Sequence, residues 1–208
     1  VQSTPEGDET ILAALARGAL GLDFPNALRW VRGLDDARRD DLFRAATQQM
    51  TPHDAAPREF EHFSATFQVT LSAAAWGQLK RHRIASPSPG PYDPSLGPTL
   101  PPTFETAGCR ELLRDGFNDA SEVFDALGGG ASPVAQYALL NAHRRRVLLT
   151  LNAREACHVS RLREDAHAQW EIRAIAASLS DLFRGLLPVC GALLGGKDRR
   201  TAESASRA

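Results

Sequence analysis

Lysine is nearly missing from this chain: of 24 basic residues only Lys80 and Lys197 are lysines, which leaves 22 arginines. Cysteine is also scarce. Cys109, Cys157 and Cys190 are the three present, and no two stand at C-x-x-C spacing. The odd count argues against a closed disulfide framework, and the spacing argues against a structural zinc site. Both fit a reducing compartment, so a cytoplasmic location is expected. No apolar run reaches the roughly 18 residues needed to span a bilayer, so no membrane segment is expected. There is no excess charge either, since 24 basic residues face 25 acidic ones for a net charge of −1. That excludes a nucleic-acid binder driven by bulk positive charge. The opening residues VQSTPEGDE carry no basic and apolar leader pattern. They also lack an initiating methionine, so either a trimmed chain or one part of a longer polypeptide is expected.

What remains is a chain of 208 residues with 43% hydrophobic content, enough for one domain with a core. Residues 1–8 read as a frayed polar tail, 9–196 as a single domain and 197–208 as a polar tail. Thr10 to Leu20 has helical spacing with Gly21 as its stop, and Asp35 to Met50 reads as a second helix. The period then changes. Phe63, Ala65, Phe67, Val69 and Leu71 alternate with polar residues, which predicts a half-buried strand over Glu61 to Leu71. Ser72 is placed to cap a helix that runs through Trp76 and Leu79 into Arg81-His82-Arg83.

Residues 87–102 hold seven of the 13 prolines, and that density predicts a loop or extended crossover. Helices are expected over Glu105 to Leu113, Asp119 to Leu127 and Ser132 to Asn141, with a turn at Gly128-Gly129-Gly130. Arg145 to Leu151 reads as a strand. Asn152 starts another helix, with Glu155 three residues on as a capping-box partner. A long helix is expected from about Ala166 to Leu187, with Ile175, Leu179, Leu182, Phe183 and Leu186 on one face and Pro188 ending it. Strands mixed with helices predict an α/β fold with a sheet flanked by helices.

Four clusters are chemically interesting. Arg81-His82-Arg83, with Gln78 and Lys80 before it, could splay at a helix end to hold a pyrophosphate; a solvated basic helix terminus is the alternative. Asn152, Arg154, His158 and Arg163 lie on one predicted helix. Arg154 and His158 share a face, while Arg163 points about half a turn away; an exposed charged helix is the alternative. Glu59, Glu61, His62 and His53 offer carboxylates and imidazoles, but without metal-ligand spacing, so no metal is expected. Arg144-Arg145-Arg146 precedes a buried strand without any nucleic-acid reader motif, so a solvated strand entry is expected. No nucleophile stands beside a basic partner at useful spacing, so any chemistry is expected to be carried by a cofactor.

Three segments in order resemble the flavin-dependent thymidylate synthases, or thymidylate synthase complementing proteins. EFEHFSATFQV resembles that family's EH-x-x-F-x-F strand, AAWGQLKRHRIAS its Q-x-x-RHR-x-x-S signature, and LNAREACHVSRLREDAHAQWEIRAIA its N-x-R…LR…AQWEIR helix pair. The resemblance implies an α/β homotetramer with FAD at subunit interfaces. It implies methylation of dUMP to dTMP, with methylenetetrahydrofolate as carbon donor and NADPH reducing the flavin. It places Arg81, His82, Arg83, Asn152, Arg154 and His158 against FAD, with Glu61 and His53 nearby. It brings Gln78, Arg81 and Arg163 to the nucleotide and requires no catalytic side chain.

The departures fall together. Where the family has a glutamate, a serine and an arginine after the RHR signature, this chain has Pro89, Pro91 and Asp93, and a later family arginine is Gln136. Two phosphate-binding cations are therefore replaced. Such losses cost on the order of 2–5 kcal/mol when buried. The alternative reading is a non-catalytic or assembly half whose site is completed by a family-like N-terminal half. A flavin enzyme for another pyrimidine-like substrate is a third.

Overall fold

The computed structural model describes residues 1–3, 6–51 and 53–196. Its strands are β1 (Gln2–Ser3), β2 (Ser64–Ser72), β3 (Ser86–Tyr92) and β4 (Arg144–Asn152), in sheet order β1-β2-β4-β3. The helices are α1 (Gly7–Leu20), α2 (Phe24–Arg32), α3 (Asp36–Thr47), α4 (Ala73–Leu79), α5 (Pro102–Thr106), α6 (Arg110–Ala126), α7 (Ala153–Arg163) and α8 (Trp170–Leu186). The fold is thus mixed α/β, as the alternating periods predict.

The central strands are antiparallel, and their register can be read from three contacts. Ala153 N–H donates to Phe63 O at 2.9 Å, Ala73 N–H donates to His143 O at 3.0 Å, and the Thr66 and Thr150 hydroxyls meet at 2.8 Å. Opposed positions therefore bury together. Ala65 faces Leu151 and Phe67 faces Leu149, and all four are buried.

The chain divides into two compact units at the middle of β2 and β4: Val1–Thr66 with the chain from Thr150 on, and Phe67–Leu149. The sequence reading expects one domain over 9–196. In the first unit, Ile11, Leu12, Phe60, Phe63, Ile172, Phe183 and Leu187 are buried. Phe63 and Phe183 meet edge to face at 6.2 Å. A side chain at Gly7 would meet Leu187 at 2.6 Å and Phe63 at 2.8 Å, so only glycine lets α1 start against these residues. The next residue, Asp8, accepts from Val189 N and Cys190 N, each at 2.8 Å. The expected frayed tail at 1–8 therefore contains the start of α1. It also contains β1, which pairs with Ala65 and Thr66. The expected tail at 197–208 lies outside the described residues.

Several expected elements differ. Helix α2 is not among the sequence expectations, although Asp23 caps it through Asn26 N at 2.8 Å and Pro25 stands in its first turn. The proline-dense segment begins as strand β3. Pro87, Pro89 and Pro91 fall at every second residue, so their missing donors all lie on one side of the chain, which an edge strand can leave unpaired. The two expected helices over 105–127 are the short α5 and a continuous α6 that passes through Gly116. Residues 132–141 hold only a 3₁₀ turn at Ala135–Ala138. Helix α8 starts at Trp170, capped by Gln169, and its buried face carries Ile172, Ala176, Leu179 and Phe183, while Leu182 is exposed.

The second unit packs Leu71, Leu79, Phe117, Phe124, Val147 and Leu149 with a buried histidine, His143. Its ring stacks on Phe117 at 4.1 Å. Nδ1 accepts from Leu140 N at 2.9 Å, which puts the ring proton on Nε2, 3.4 Å from the Ser121 hydroxyl. Burial lowers the His143 pKa below the ordinary value. The neutral ring is therefore the folded form. Its contribution is complete above the unfolded pKa of roughly 6.5 and is lost as pH falls below it. Thermal unfolding followed from about pH 7.5 to about pH 5 is expected to show a falling Tm, and His143→Gln, though less stable at the upper pH, a flatter profile. Equal slopes would remove His143 as the cause.

Candidate functional site

Strand β4 passes into α7 without a loop. Asn152 is the last strand residue and also the cap, its Oδ1 accepting from Glu155 N at 2.8 Å. That junction fixes Arg154 in the first helical turn. Its Nε donates to Ala56 O at 2.8 Å and its Nη1 to Glu61 Oε1 at 2.9 Å. The other oxygen of Glu61 accepts from Arg58 at 3.3 Å. Arg161 donates to His53 O at 2.9 Å.

Residues 58–62 form a 3₁₀ turn, and together with α1 and the start of α2 it encloses a cleft of about 720 Å³. The cleft is within the range of small-molecule sites. Thr10, Arg17, Phe24, Arg58, Glu61 and His62 are among its lining residues. Of the expected group, Glu61 is there, and Arg154 reaches it through that carboxylate. His53 is not. Its side chain is exposed, it contributes only a carbonyl to Arg161, and His62 is the imidazole that shares the cleft with Glu61. His158 is exposed on α7 and Arg163 is half-buried at its last residue. Arg17 and Phe24 have no local signature, and sequence reasoning does not find them.

In the second unit, β2 passes into α4 in the same way. Ser72 caps the helix through Ala75 N at 3.1 Å. The helix ends at Leu79, with Gln78 half-buried, and the chain continues in tight turns: His82 N–H donates to Leu79 O at 3.1 Å and Ala85 N–H to His82 O at 3.2 Å. His82 is 4% exposed, while Arg81 and Arg83 on either side are exposed. Neither guanidinium has a hydrogen-bond or ion-pair partner among the described residues. The tripeptide thus lies in turns past the helix end, with its histidine buried and both arginines at the surface.

Arg144-Arg145-Arg146, expected as a solvated strand entry, instead fasten the proline-dense segment. Arg144 Nε donates to Thr99 Oγ1 at 2.8 Å. Arg145 Nε donates to Gly90 O at 2.7 Å, and its guanidinium lies 4.1 Å over the Tyr92 ring and 5.5 Å from the Trp76 ring. Arg146 pairs with Asp93 at 3.3 Å. Asp93 also accepts from Ser95 N and Oγ at 3.0 and 2.6 Å. The Ser95 hydroxyl first, and Arg146 after it, hold the Asp93 carboxyl below the usual range. Gln136 accepts from Tyr92 N at 2.9 Å and donates to Tyr92 O at 3.4 Å. The residues at the departing positions are thus engaged with the segment itself.

Among the described residues, no three His, Cys, Asp or Glu side chains gather as a metal site, and no helix is long and apolar enough to cross a membrane.

The thymidylate synthase complementing protein family model matches residues 1–189. The chain belongs to that family. Among its members, a flavin-dependent thymidylate synthase of Sulfolobus acidocaldarius is 36% identical over 137 residues, covering 62% of this chain and 52% of that protein. One of Geobacter sulfurreducens is 35% identical over 138 residues, covering 62% and 60%. This chain therefore spans little more than half of each. A protein of Thermoplasma acidophilum is 29% identical over 133 residues, which are 63% of this chain and 27% of that protein. Among solved structures, a UMP/dUMP methylase of Streptomyces cacaoi bound with 5-Br dUMP superposes with a TM-score of 0.71 at 20% identity, covering 93% of this chain and 91% of that one. That likeness gives the fold.

Arg145→Ala is expected to cost about 2–3 kcal/mol, from a charge-assisted hydrogen bond and the ring contacts. Arg145→Lys is expected to restore little, because it lacks the planar fork. Arg146→Ala, at a half-exposed pair, is expected to cost less than about 1 kcal/mol. Urea unfolding of the three variants gives the order.

Proposed function

We propose that this chain holds FAD and works as a flavin-dependent thymidylate synthase. It would methylate dUMP to dTMP with methylenetetrahydrofolate as carbon donor and NADPH as reductant of the flavin. The observation that carries the reading is the pair of unpartnered guanidinia, Arg81 and Arg83, held outward by a buried His82 in a chain of this family. Two free guanidinia at a fixed turn match the diphosphate of a dinucleotide. In this reading Arg81, His82 and Arg83 hold the cofactor, as do Asn152, Arg154, His158 and Glu61, with His53 nearby. Gln78, Arg81 and Arg163 orient the nucleotide. A bound flavin would supply the hydride. Cys157 and Cys190 are buried, and burial pushes the Cys190 thiol up, so Cys190 is not poised as a thiolate. A homotetramer and a cytoplasmic location belong to the same reading.

A second reading is favoured by a specific observation. Asp93 is committed to Ser95 and Arg146, and Gln136 to Tyr92, so neither is free for a phosphate. This chain would then be an assembly half whose nucleotide contacts come from a family-like N-terminal half. That it matches 27% of the Thermoplasma acidophilum protein supports a longer arrangement.

Flavin fluorescence quenching and dTMP formation test both. FAD binding is expected, weakened about tenfold or more by Arg81→Ala or Arg83→Ala, the size of one charge-assisted hydrogen bond. Turnover by the chain alone supports the first reading. Binding without turnover, with turnover restored by a family-like N-terminal half, supports the second. An absence of flavin binding sinks both.

A further inference from the structure

The cleft of the first unit has a wall that the reading above leaves unused. Arg17 stands in the last turn of α1 and Phe24 opens α2. The corner between them is rigid. Gly21 takes the left-handed conformation at φ 63°, Leu22 N–H donates to Arg17 O at 3.1 Å, and Asp23 caps α2. Phe24 is 37% exposed, and the buried Ala14 and half-buried Leu15 line the cleft beside it. The opposite wall is the 3₁₀ turn with Arg58, Glu61 and His62.

Charge accounting decides what this cleft accepts. Glu61 is matched by Arg154 and by Arg58. Glu59 also lines the cleft, so two carboxylates meet two guanidinia, Arg17 and Arg58, in its lining, and Arg154 bonds Glu61 from outside that lining. Arg17 has no hydrogen-bond or ion-pair partner among the described residues. An unpaired guanidinium beside an exposed aromatic ring and an apolar floor suits a flat ring that carries an anionic tail.

We propose that Arg17 and Phe24 are specificity-determining residues for such a ligand, with Phe24 against the ring or its linker and Arg17 on the anionic tail. The proposal rests on the flavin-enzyme reading, which supplies two ligands of that chemistry. One is the flavin dinucleotide with its phosphates, the other the reduced folate with its glutamate carboxylates. Arg17 is exposed and unpartnered, so its removal is expected to leave the Tm unchanged.

The test uses the full chain and four probes: FAD against riboflavin, and tetrahydrofolate against tetrahydropteroate, which lacks the glutamate. Calorimetry is expected to show that wild type prefers the tailed member of one pair. Arg17→Ala should shrink that preference about tenfold or more, with Arg17→Lys retaining part of it. Phe24→Ala should weaken both members of the same pair. Loss of the FAD preference identifies the cofactor as occupant, and loss of the tetrahydrofolate preference identifies the folate. If Arg17→Ala leaves both preferences at wild-type size while FAD still binds, the inference fails and the flavin reading stands. If wild type binds none of the four, both fail.

Discussion

Two strands that become helices without an intervening loop govern this molecule. At each junction one residue is both the end of a strand and the cap of a helix: Ser72 for α4 and Asn152 for α7. The residue after each cap, Ala73 or Ala153, donates to the carbonyl just before the opposing strand begins, His143 or Phe63. A helix launched from a hydrogen-bonded ladder has no loop in which to swing, so its first turn is set by the strand register. A shift of one residue would turn every buried side chain outward, so the register is strongly held. Arg154 inherits its position from one junction, and the Arg81-His82-Arg83 turn from the other.

The same economy explains how the proline-dense segment is held. Pro87, Pro89 and Pro91 leave β3 without donors on one side while it pairs with β4, and side chains add to what the backbone supplies. Arg145 bonds the Gly90 carbonyl, Gln136 takes both polar groups of Tyr92, and Arg146 with Ser95 occupies Asp93. These bonds have a functional consequence. An amide already engaged at both ends with a backbone cannot also serve a phosphate. A carboxylate held ionised would repel one.

What could be read in the sequence was local. The period-two pattern of β2, the caps at Ser72 and Asn152, the stop at Gly21 and the glycine turn at 128–130 all depend on neighbours a few residues away. Strand β3 was hidden because proline density signals a loop in every context except an edge strand. Helix α2 was hidden although Asp23 and Pro25 form a start signal, because only Ala27 and Val31 are buried and too little apolar pattern follows. Gly116 lies between the helices expected over Glu105 to Leu113 and Asp119 to Leu127, yet α6 runs through it, because one interior glycine costs only about 1 kcal/mol and packing of Phe117 and Phe124 outweighs it. The cleft was illegible for another reason. Arg17 and Arg58 are far apart in sequence, and nothing local to either announces that they will share a wall. The neighbouring imidazole shows the same limit: His53 and His62 look alike in the sequence, and only the 3₁₀ turn decides which one enters.

The arginine excess that first marks this chain therefore divides by function. Arg144, Arg145 and Arg154 each donate to the protein's own oxygens, and substitution there acts through the scaffold. Arg17, Arg81 and Arg83 have no such partner among the described residues, so their full hydrogen-bonding capacity faces outward. Lack of a partner alone does not make a binding residue. Arg44 on α3 is equally unengaged and lines no wall of the cleft. What distinguishes Arg17 is the cleft it lines together with Phe24, and what distinguishes Arg81 and Arg83 is the buried histidine that fixes the turn between them. A guanidinium becomes a ligand-binding group when rigid neighbours set its direction before the ligand arrives, because less ordering is then left to oppose binding.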